Sequence, residues 1–383
     1  MCLERCTEKP KVLIFRNEIL PSSETFIRAQ TQALTRYSAY FAGVHRASLS
    51  MEVSPEPLLL DTTSSILGKV QRRIYWRTKF GPRLYRGVRK IAPSLVHAHF
   101  AMDGAAALPL AAHLNVPLVV TLHGYDVSSS LQTLSRCEEG RLFIRRRDEL
   151  WQRASVFLCV SEFIRGRAVA AGFPKDKLKV HYIGSDLGHF EPSGTARDRN
   201  MILFVARLVE KKGLSYLIDA MAIVREKHPD ARLVCIGDGP LREQMQSQVV
   251  SKGIPCQFLG SQSPEIVKRQ LAQARIFCVP SVTASTGDSE GLGMVFAEAQ
   301  AMGTPVVSFH HGGIPEVVLD GRTGLLAPER DVAALACNLC QLIADDAMWE
   351  RFSANGMKWV GERFCLETQT ALLEKIYDQL AIA

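Results

Sequence analysis

Short apolar runs recur along this chain, each followed by a segment of helical periodicity, and no other feature restricts its fold so strongly. In the first half the runs are Lys11 to Phe15, Tyr40 to Val44, Leu95 to Phe100, Leu118 to Leu122, Val156 to Val160 and Lys179 to Ile183. In the second half they are Met201 to Val205, Arg232 to Ile236, Ile276 to Pro280 and Pro305 to Phe309. The segments between them, such as Arg141 to Arg153 and Leu214 to Glu226, have the apolar spacing of helices. Strands alternating with helices form parallel sheets covered on both faces. The polar run EPSGTARDRN, Glu191 to Asn200, separates two such series and reads as a linker. The chain is therefore expected to be α/β, with two tandem doubly wound (Rossmann-like) domains. The expected bounds are 1–190 for an N-terminal domain, 191–200 for the linker, 201–365 for a C-terminal domain and 366–383 for a final helix. At 383 residues the chain is long enough for two such cores.

The charge is unevenly spread. Residues 1–193 hold 27 Lys and Arg against 17 Asp and Glu, net +10, whereas 194–383 hold 19 against 22, net −3. Most of the excess lies in Lys69 to Lys90, where nine basic residues and no acidic ones are interleaved with Ile74, Tyr75, Trp76, Phe80, Leu84 and Tyr85. Such a segment suits an anionic membrane surface or a lipid-linked phosphate. The plain alternative is a solvated basic face, and no nucleic-acid motif accompanies the segment. The start, MCLERCTEKPK, has charges where a signal peptide needs an apolar run. The longest apolar stretch, Ala105 to Leu122, is interrupted by Pro109, His113, Asn115 and Pro117. A cytoplasmic protein, peripheral on the inner membrane face, is expected. Most of the ten cysteines lie within apolar runs, and Cys337 and Cys340 are placed on the apolar face of a helix, without a second ligand pair for zinc.

Chemistry concentrates in Gly287 to Val307, GDSEGLGMVFAEAQAMGTPVV, which reads as a loop entering a buried helix. Gly291 and Gly293 allow a ligand to approach the backbone, and the first free N–H groups of the helix attract an anion. Glu290 and Glu298 lie a little over two helical turns apart, roughly 12 Å along the axis, too far to meet on one atom but suited to bracket an extended ligand. In a nucleotide sugar, Glu298 would accept from the ribose hydroxyls and Glu290 would face the hexose. A core helix with an incidental Glu is the structural alternative. The loop ARLVEKKG follows a strand and groups Arg207, Lys211 and Lys212 where a diphosphate could be held. Gly237 and Gly239, with Gly260, could wrap a base. In the first half, Ser22 or Ser23 can cap a helix with Glu24 or Thr25 in its first turn. His97 and His99, then His123, Gly124, Tyr125 and Asp126, end strands where open parallel sheets bind ligands.

ARLVEKKG, IGDGP, the stretch from Glu290 to Glu298, GGIPE and DGRTGLL, in this order, resemble the C-terminal half of family 4 glycosyltransferases with the two-domain GT-B fold. SETFI, VHAHF, HGYD and VTASTGDSEG are similar to the subgroup that builds bacterial exopolysaccharides such as colanic acid. The resemblance implies a cleft between two domains and a retaining hexosyltransferase that needs neither metal nor cofactor. Its co-substrate would be a UDP- or GDP-sugar and its acceptor a lipid-linked or oligosaccharide chain. It implies catalytic roles for His123, Glu290, Arg207 and Lys212, and donor contacts from Gly237, Gly239, Gly260, Gly291, Leu292, Gly293 and Glu298. It places Ser23, Glu24, Thr25, His99 and Asp126 on the acceptor side, and the final helix against the N-terminal domain. Three departures stand out: PSSET replaces a Gly-Gly turn after the first strand, Ala206 precedes the arginine where Gly is usual, and IGSD around Ser185 replaces NGVD. An epimerase or hydrolase on the same architecture, or a non-catalytic nucleotide-sugar sensor, are the competing classes.

Overall fold

A computed structural model describes residues 8–381 apart from 22–23, 48–50, 62–65, 79–80, 191–193 and 195. The chain divides into two units. Unit 1 comprises Met1–Val160, Ile164–Gly184 and Leu366–Ala383, and unit 2 comprises Ser161–Phe163 and Ser185–Cys365. The division after Gly184 falls ahead of the polar run at 191–200, part of which already belongs to the first strand of unit 2.

Unit 1 is built on seven strands: β1 (Lys11–Ile19), β2 (Ser38–Arg46), β3 (Leu58–Leu59), β4 (Leu95–His99), β5 (Leu118–Leu122), β6 (Val156–Cys159) and β7 (Leu178–Val180). All pair in parallel, in the order β3-β2-β1-β4-β5-β6-β7. The central strands β4 and β5 are buried at every residue, as a sheet covered on both faces requires. The last helix, Leu366–Ala381, supplies Leu373 and Tyr377 to the same core as Val12, Ile14, Leu95 and Val119. Its buried Glu374 accepts from the backbone N–H groups of Thr35 (2.8 Å) and Arg36 (2.7 Å), closing the turn before β2.

Unit 2 repeats the plan with β8 (Asp198–Val205), β9 (Arg232–Ile236), β10 (Cys256–Gly260), β11 (Ala274–Cys278), β12 (Val306–Phe309) and β13 (Gly324–Ala327), ordered β10-β9-β8-β11-β12-β13 and parallel throughout. In each sheet the chain builds outward in one direction, then returns to build in the other. The reversal lies between β1 and β4 in unit 1 and between β8 and β11 in unit 2. Ligands of open parallel sheets bind beyond the carboxyl ends of the strands at such a reversal.

The sequence reading needs correction at several elements. β3, β10 and β13 are strands that the apolar runs did not mark. The DGRTGLL segment is a turn only up to Thr323, with Asp320 accepting from Leu326 N–H at 2.8 Å as the chain enters β13. Cys337 is exposed, because the helix Val332–Ala344 buries Leu335, Ala336, Leu339 and Leu342 instead. Pro109 does not end the helix Ala101–Leu114 but lies inside it. Among the described residues, no helix is long and apolar enough to cross a membrane.

Candidate active site

At the reversal of unit 2, two loops are joined by successive residues. The first, Ala206 to Gly213, leaves the carboxyl end of β8, and the second, Val279 to Gly293, leaves that of β11. Glu210 accepts from the N–H (3.0 Å) and hydroxyl (2.7 Å) of Ser285. Lys211 pairs with Asp288 at 2.9 Å, and Lys212 pairs with the buried Glu290. The backbones touch as well: Val282 N–H donates to Lys211 O at 2.8 Å. Gly213 lies against Pro280 so closely that a Cβ would come within 1.8 Å of that carbonyl oxygen, and its φ of +68° is left-handed, so only glycine fits.

Glu290 is the most heavily committed group of this site. Its carboxylate takes the Lys212 ammonium and, at 3.4 Å, the Ser281 hydroxyl, while its N–H donates to His311 Nε2 at 3.3 Å. His311 Nδ1 in turn meets Glu329 at 3.1 Å, and Glu329 accepts from Thr283 N–H at 2.7 Å. Burial works against ionisation of Glu290, but Lys212, Lys211 and His311 outweigh it and bring its pKa down to about 2. Glu298 behaves oppositely. It is half-buried on the helix Met294–Ala301, its carboxylate has no hydrogen-bond partner among the described residues, and burial pushes its pKa up to about 7. The N–H groups of Leu292 to Val295, where this helix begins, also have no acceptor among the described residues. Arg207 is exposed, and its guanidinium has no hydrogen-bond or ion-pair partner among them.

The glycine loops are more occupied than the sequence suggests. Gly237 N–H donates to Gly260 O at 2.8 Å, and Gly239 N–H to the side chain of Asp238 at 2.7 Å. Leu208 N–H and Asp238 O (2.9 Å) then fasten the IGDGP turn to the loop that carries Arg207. Gly237 and Gly239 lie close against the backbone of Ala206 and Leu208, and their own N–H groups are already used.

At the reversal of unit 1, Arg16 projects from β1 between two carboxylates. Its Nε donates to Glu24 at 3.0 Å, one terminal nitrogen reaches Asp103 and the carbonyl of His99 (3.1 Å), and its plane lies 4.7 Å from the Phe100 ring centre. Phe100 has φ +74°, a costly conformation for a non-glycine residue. It is fixed by its N–H to Thr121 O at 2.7 Å, and the next N–H, of Ala101, donates to Asp126 at 2.9 Å. Asp126 also accepts from Gly124 (2.9 Å) and His123 (3.2 Å), and the residue is 2% exposed. It therefore holds the loops together through its carboxylate. His123 lies between Phe26 (ring centres 5.0 Å apart) and Phe100 (4.6 Å), with Nε2 3.0 Å from His99 Nδ1. Burial, then the charge of Arg16, holds the His123 imidazole well below its usual pKa.

The two halves of the chain match two family profiles, "Glycosyltransferase Family 4" at residues 45–189 and "Glycosyl transferases group 1" at residues 188–359. The chain is 31% identical over 280 residues to the GDP-mannose-dependent alpha-(1-6)-phosphatidylinositol monomannoside mannosyltransferase of Mycolicibacterium smegmatis, covering 68% of this chain and 69% of the relative. This chain belongs to the family 4 glycosyltransferases. The amylovoran biosynthesis glycosyltransferase AmsK of Erwinia amylovora is 32% identical over 266 residues, 68% of this chain and 63% of its own length. Among solved structures, Anabaena Alr3699/HepE in complex with UDP and glucose superposes with a TM-score of 0.75 at 20% identity, over 97% of this chain and all of that one. The fold of this family 4 glycosyltransferase is thus GT-B, two Rossmann-like parallel-sheet domains.

Of the residues singled out from sequence, unit 2 brings Lys212 and Glu290 into contact and leaves Arg207 and Glu298 with open side chains. Unit 1 brings together Glu24, His99, His123 and Asp126, and Thr25 opens the helix Thr25–Gln32 behind Glu24. Ser23 lies outside the described residues. Sequence reasoning missed Arg16, Phe100, Asp103, Ser281, His311 and Glu329. Arg16 carried a usable signal, since a lone arginine at the end of the apolar run KVLIF must find a buried partner. The others act through pairings between distant parts of the sequence.

Proposed function

We propose that this glycosyltransferase moves a hexose, with retention of anomeric configuration, from a UDP- or GDP-sugar to a lipid-linked or oligosaccharide acceptor in bacterial exopolysaccharide or cell-surface glycan synthesis. The observation that carries the reading is Arg207, an exposed guanidinium without a partner among the described residues, at the carboxyl end of β8 beside Lys211 and Lys212. A free cation next to two paired ones suits a diphosphate, which Arg207 can grip with its planar fork. Three basic side chains supply that charge without a metal ion. The open carboxylate of Glu298 suits the ribose hydroxyls, and the N–H groups from Leu292 to Val295 suit an anionic or hydroxyl oxygen. Unit 1 supplies the acceptor side through His123 and the Arg16 to Glu24 pair.

The carboxylates favour a front-face route. Glu290 is a weak nucleophile, since Lys212 neutralises its charge and a pKa of about 2 makes it weakly basic, and Asp126 is closed in by backbone N–H groups. In the step proposed, the acceptor hydroxyl oxygen bonds to the anomeric carbon on the face the diphosphate leaves. The sugar–phosphate bond breaks with its electron pair going to the phosphate oxygen, which takes the hydroxyl proton. Arg207 and Lys212 stabilise the phosphate charge as it grows.

The basic segment supports a place on an anionic membrane surface. The helix Ile66–Thr78 exposes Val70 (46%) and Ile74 (45%) one turn apart, with Arg73 and Arg77 exposed beside them. Incubation with UDP- and GDP-sugars and a lipid-linked acceptor, followed by NMR of the product, tests the transfer reading. The expected result is a retained anomer formed equally well in EDTA. An inverted linkage, a strict demand for added Mg²⁺ or Mn²⁺, or sugar covalently bound to Glu290 would overturn it.

A further inference from the structure

Behind His123 stands a column of imidazoles belonging to unit 1. His99 stacks on His123 (ring centres 5.3 Å, 25°) and His97 on His99 (4.4 Å, 26°). His97 is tied at both nitrogens, Nδ1 to the Tyr377 hydroxyl of the last helix (2.6 Å) and Nε2 to the Thr121 hydroxyl (2.7 Å). His99 is tied at one only. Its Nδ1 meets His123 Nε2 at 3.0 Å, while its Nε2 is buried without a partner among the described residues. The Nδ1 of His123 has no partner among the described residues either, but it is not among the closed-off atoms.

Both rings are neutral, because burial holds His99 and His123 well below the ordinary imidazole pKa, and Arg16 adds to the effect on each. Each ring therefore carries one proton, and the 3.0 Å contact allows two arrangements. If His123 Nε2–H donated to His99 Nδ1, the His99 proton would have to lie on Nε2, leaving a buried N–H with no acceptor. If His99 Nδ1–H donates instead, His99 Nε2 is a bare lone pair. Orphaned buried N–H groups are the rarer and costlier defect, so the second arrangement wins.

We propose that His99 is a positioning residue that holds His123 as the Nδ1–H tautomer, so that His123 serves its sugar ligand as a hydrogen-bond donor and not as a proton acceptor. The ligand class rests on the proposed transfer reaction, but the tautomer does not. With Nε2 filled by His99 and Nδ1 protonated, His123 has no free lone pair with which to take the acceptor's proton. Its task is to donate to a sugar hydroxyl oxygen.

The test is ¹⁵N NMR of the full chain labelled at histidine, with the His123 signals assigned by their loss in His123→Gln. The expected pattern is a protonated Nδ1 and a pyridine-like Nε2 at His123, unchanged across neutral pH. A protonated Nε2 at His123 in the native chain overturns the proposal. His99→Asn keeps an amide donor at the position of Nδ1 and should keep the pattern. His99→Phe removes the donor, should let His123 Nε2 take up a proton in part of the population, and should raise KM for the sugar substrate about fivefold with kcat less affected. Should His99→Phe fail to fold, the native and Asn spectra still decide. A native Nδ1–H pattern in a protein that transfers no sugar would refute the transfer reading and leave this inference standing.

Discussion

Replacing Lys212 by Ala separates the two things this lysine does, provided that Glu290 is changed in parallel. Glu290 is 7% exposed, and its pKa falls from 4.5 in an unfolded chain to about 2, chiefly against burial and through Lys212. At about 1.4 kcal/mol per unit, that depression is worth about 3 kcal/mol of stability at neutral pH. Because the folded pKa is the lower one, this stability is present above 4.5 and lost as pH falls from 4.5 through about 2. Lys212→Ala leaves a buried carboxylate without its cation, and loss of about 3–5 kcal/mol is expected. Lys212→Ala with Glu290→Gln removes the orphaned charge, so most of that loss should be recovered. Transfer should not recover, since the cation next to the leaving phosphate is still missing, and kcat should stay down by about a hundredfold or more. Urea titrations of the native chain, the single and the double variant at pH 7 and near pH 3 read the stability terms, and steady-state kinetics reads the rest. Equal stability of the single and double variants would refute the burial argument, and restored kcat in the double variant would refute the role of Lys212 at the phosphate.

Arg207→Ala should weaken donor binding by about tenfold or more, and Arg207→Lys should restore only part of it, because charge returns without the fork; titration with UDP and GDP checks both. Glu298 has a folded pKa of about 7 against 4.5 unfolded, so its contribution to stability is full below 4.5 and is lost as pH rises through 7. Glu298→Gln should therefore stabilise the protein above pH 7, flatten the thermal-shift profile between those values, and weaken nucleoside-diphosphate binding by about tenfold. Vesicles containing anionic lipid should bind the chain at low ionic strength and release it with salt, and Val70→Ser with Ile74→Ser should weaken binding without changing the salt dependence.

Strands buried on both faces were legible because their composition alone marks them: LVHAH, LVVTL and VFLC need no context. β13 was not, since GLLA is four residues long and leaves a glycine-rich turn, and β10 was not, since CQFLG is only partly buried. Within the site, Arg207, Lys212 and Glu290 could be picked out by the loops they stand on. Their pairing could not, because Lys212 and Glu290 are 78 positions apart and only the β8 to β11 adjacency joins them. The strained Phe100 and the unfilled nitrogen of His99 lay beyond sequence reasoning, since both depend on which backbone groups fill the remaining hydrogen bonds.

The place of Leu366–Ala381 in unit 1 has a consequence during translation. The strands of unit 1 are made before unit 2, yet Leu373 and Tyr377, which share a core with Val12, Ile14 and Leu95, leave the ribosome after it. Until then the nascent chain carries an unfinished apolar sheet face, exposed to chaperones and to other nascent chains. A stop placed between Cys365 and Leu373 would spare every residue of the unit 2 site and still cripple unit 1.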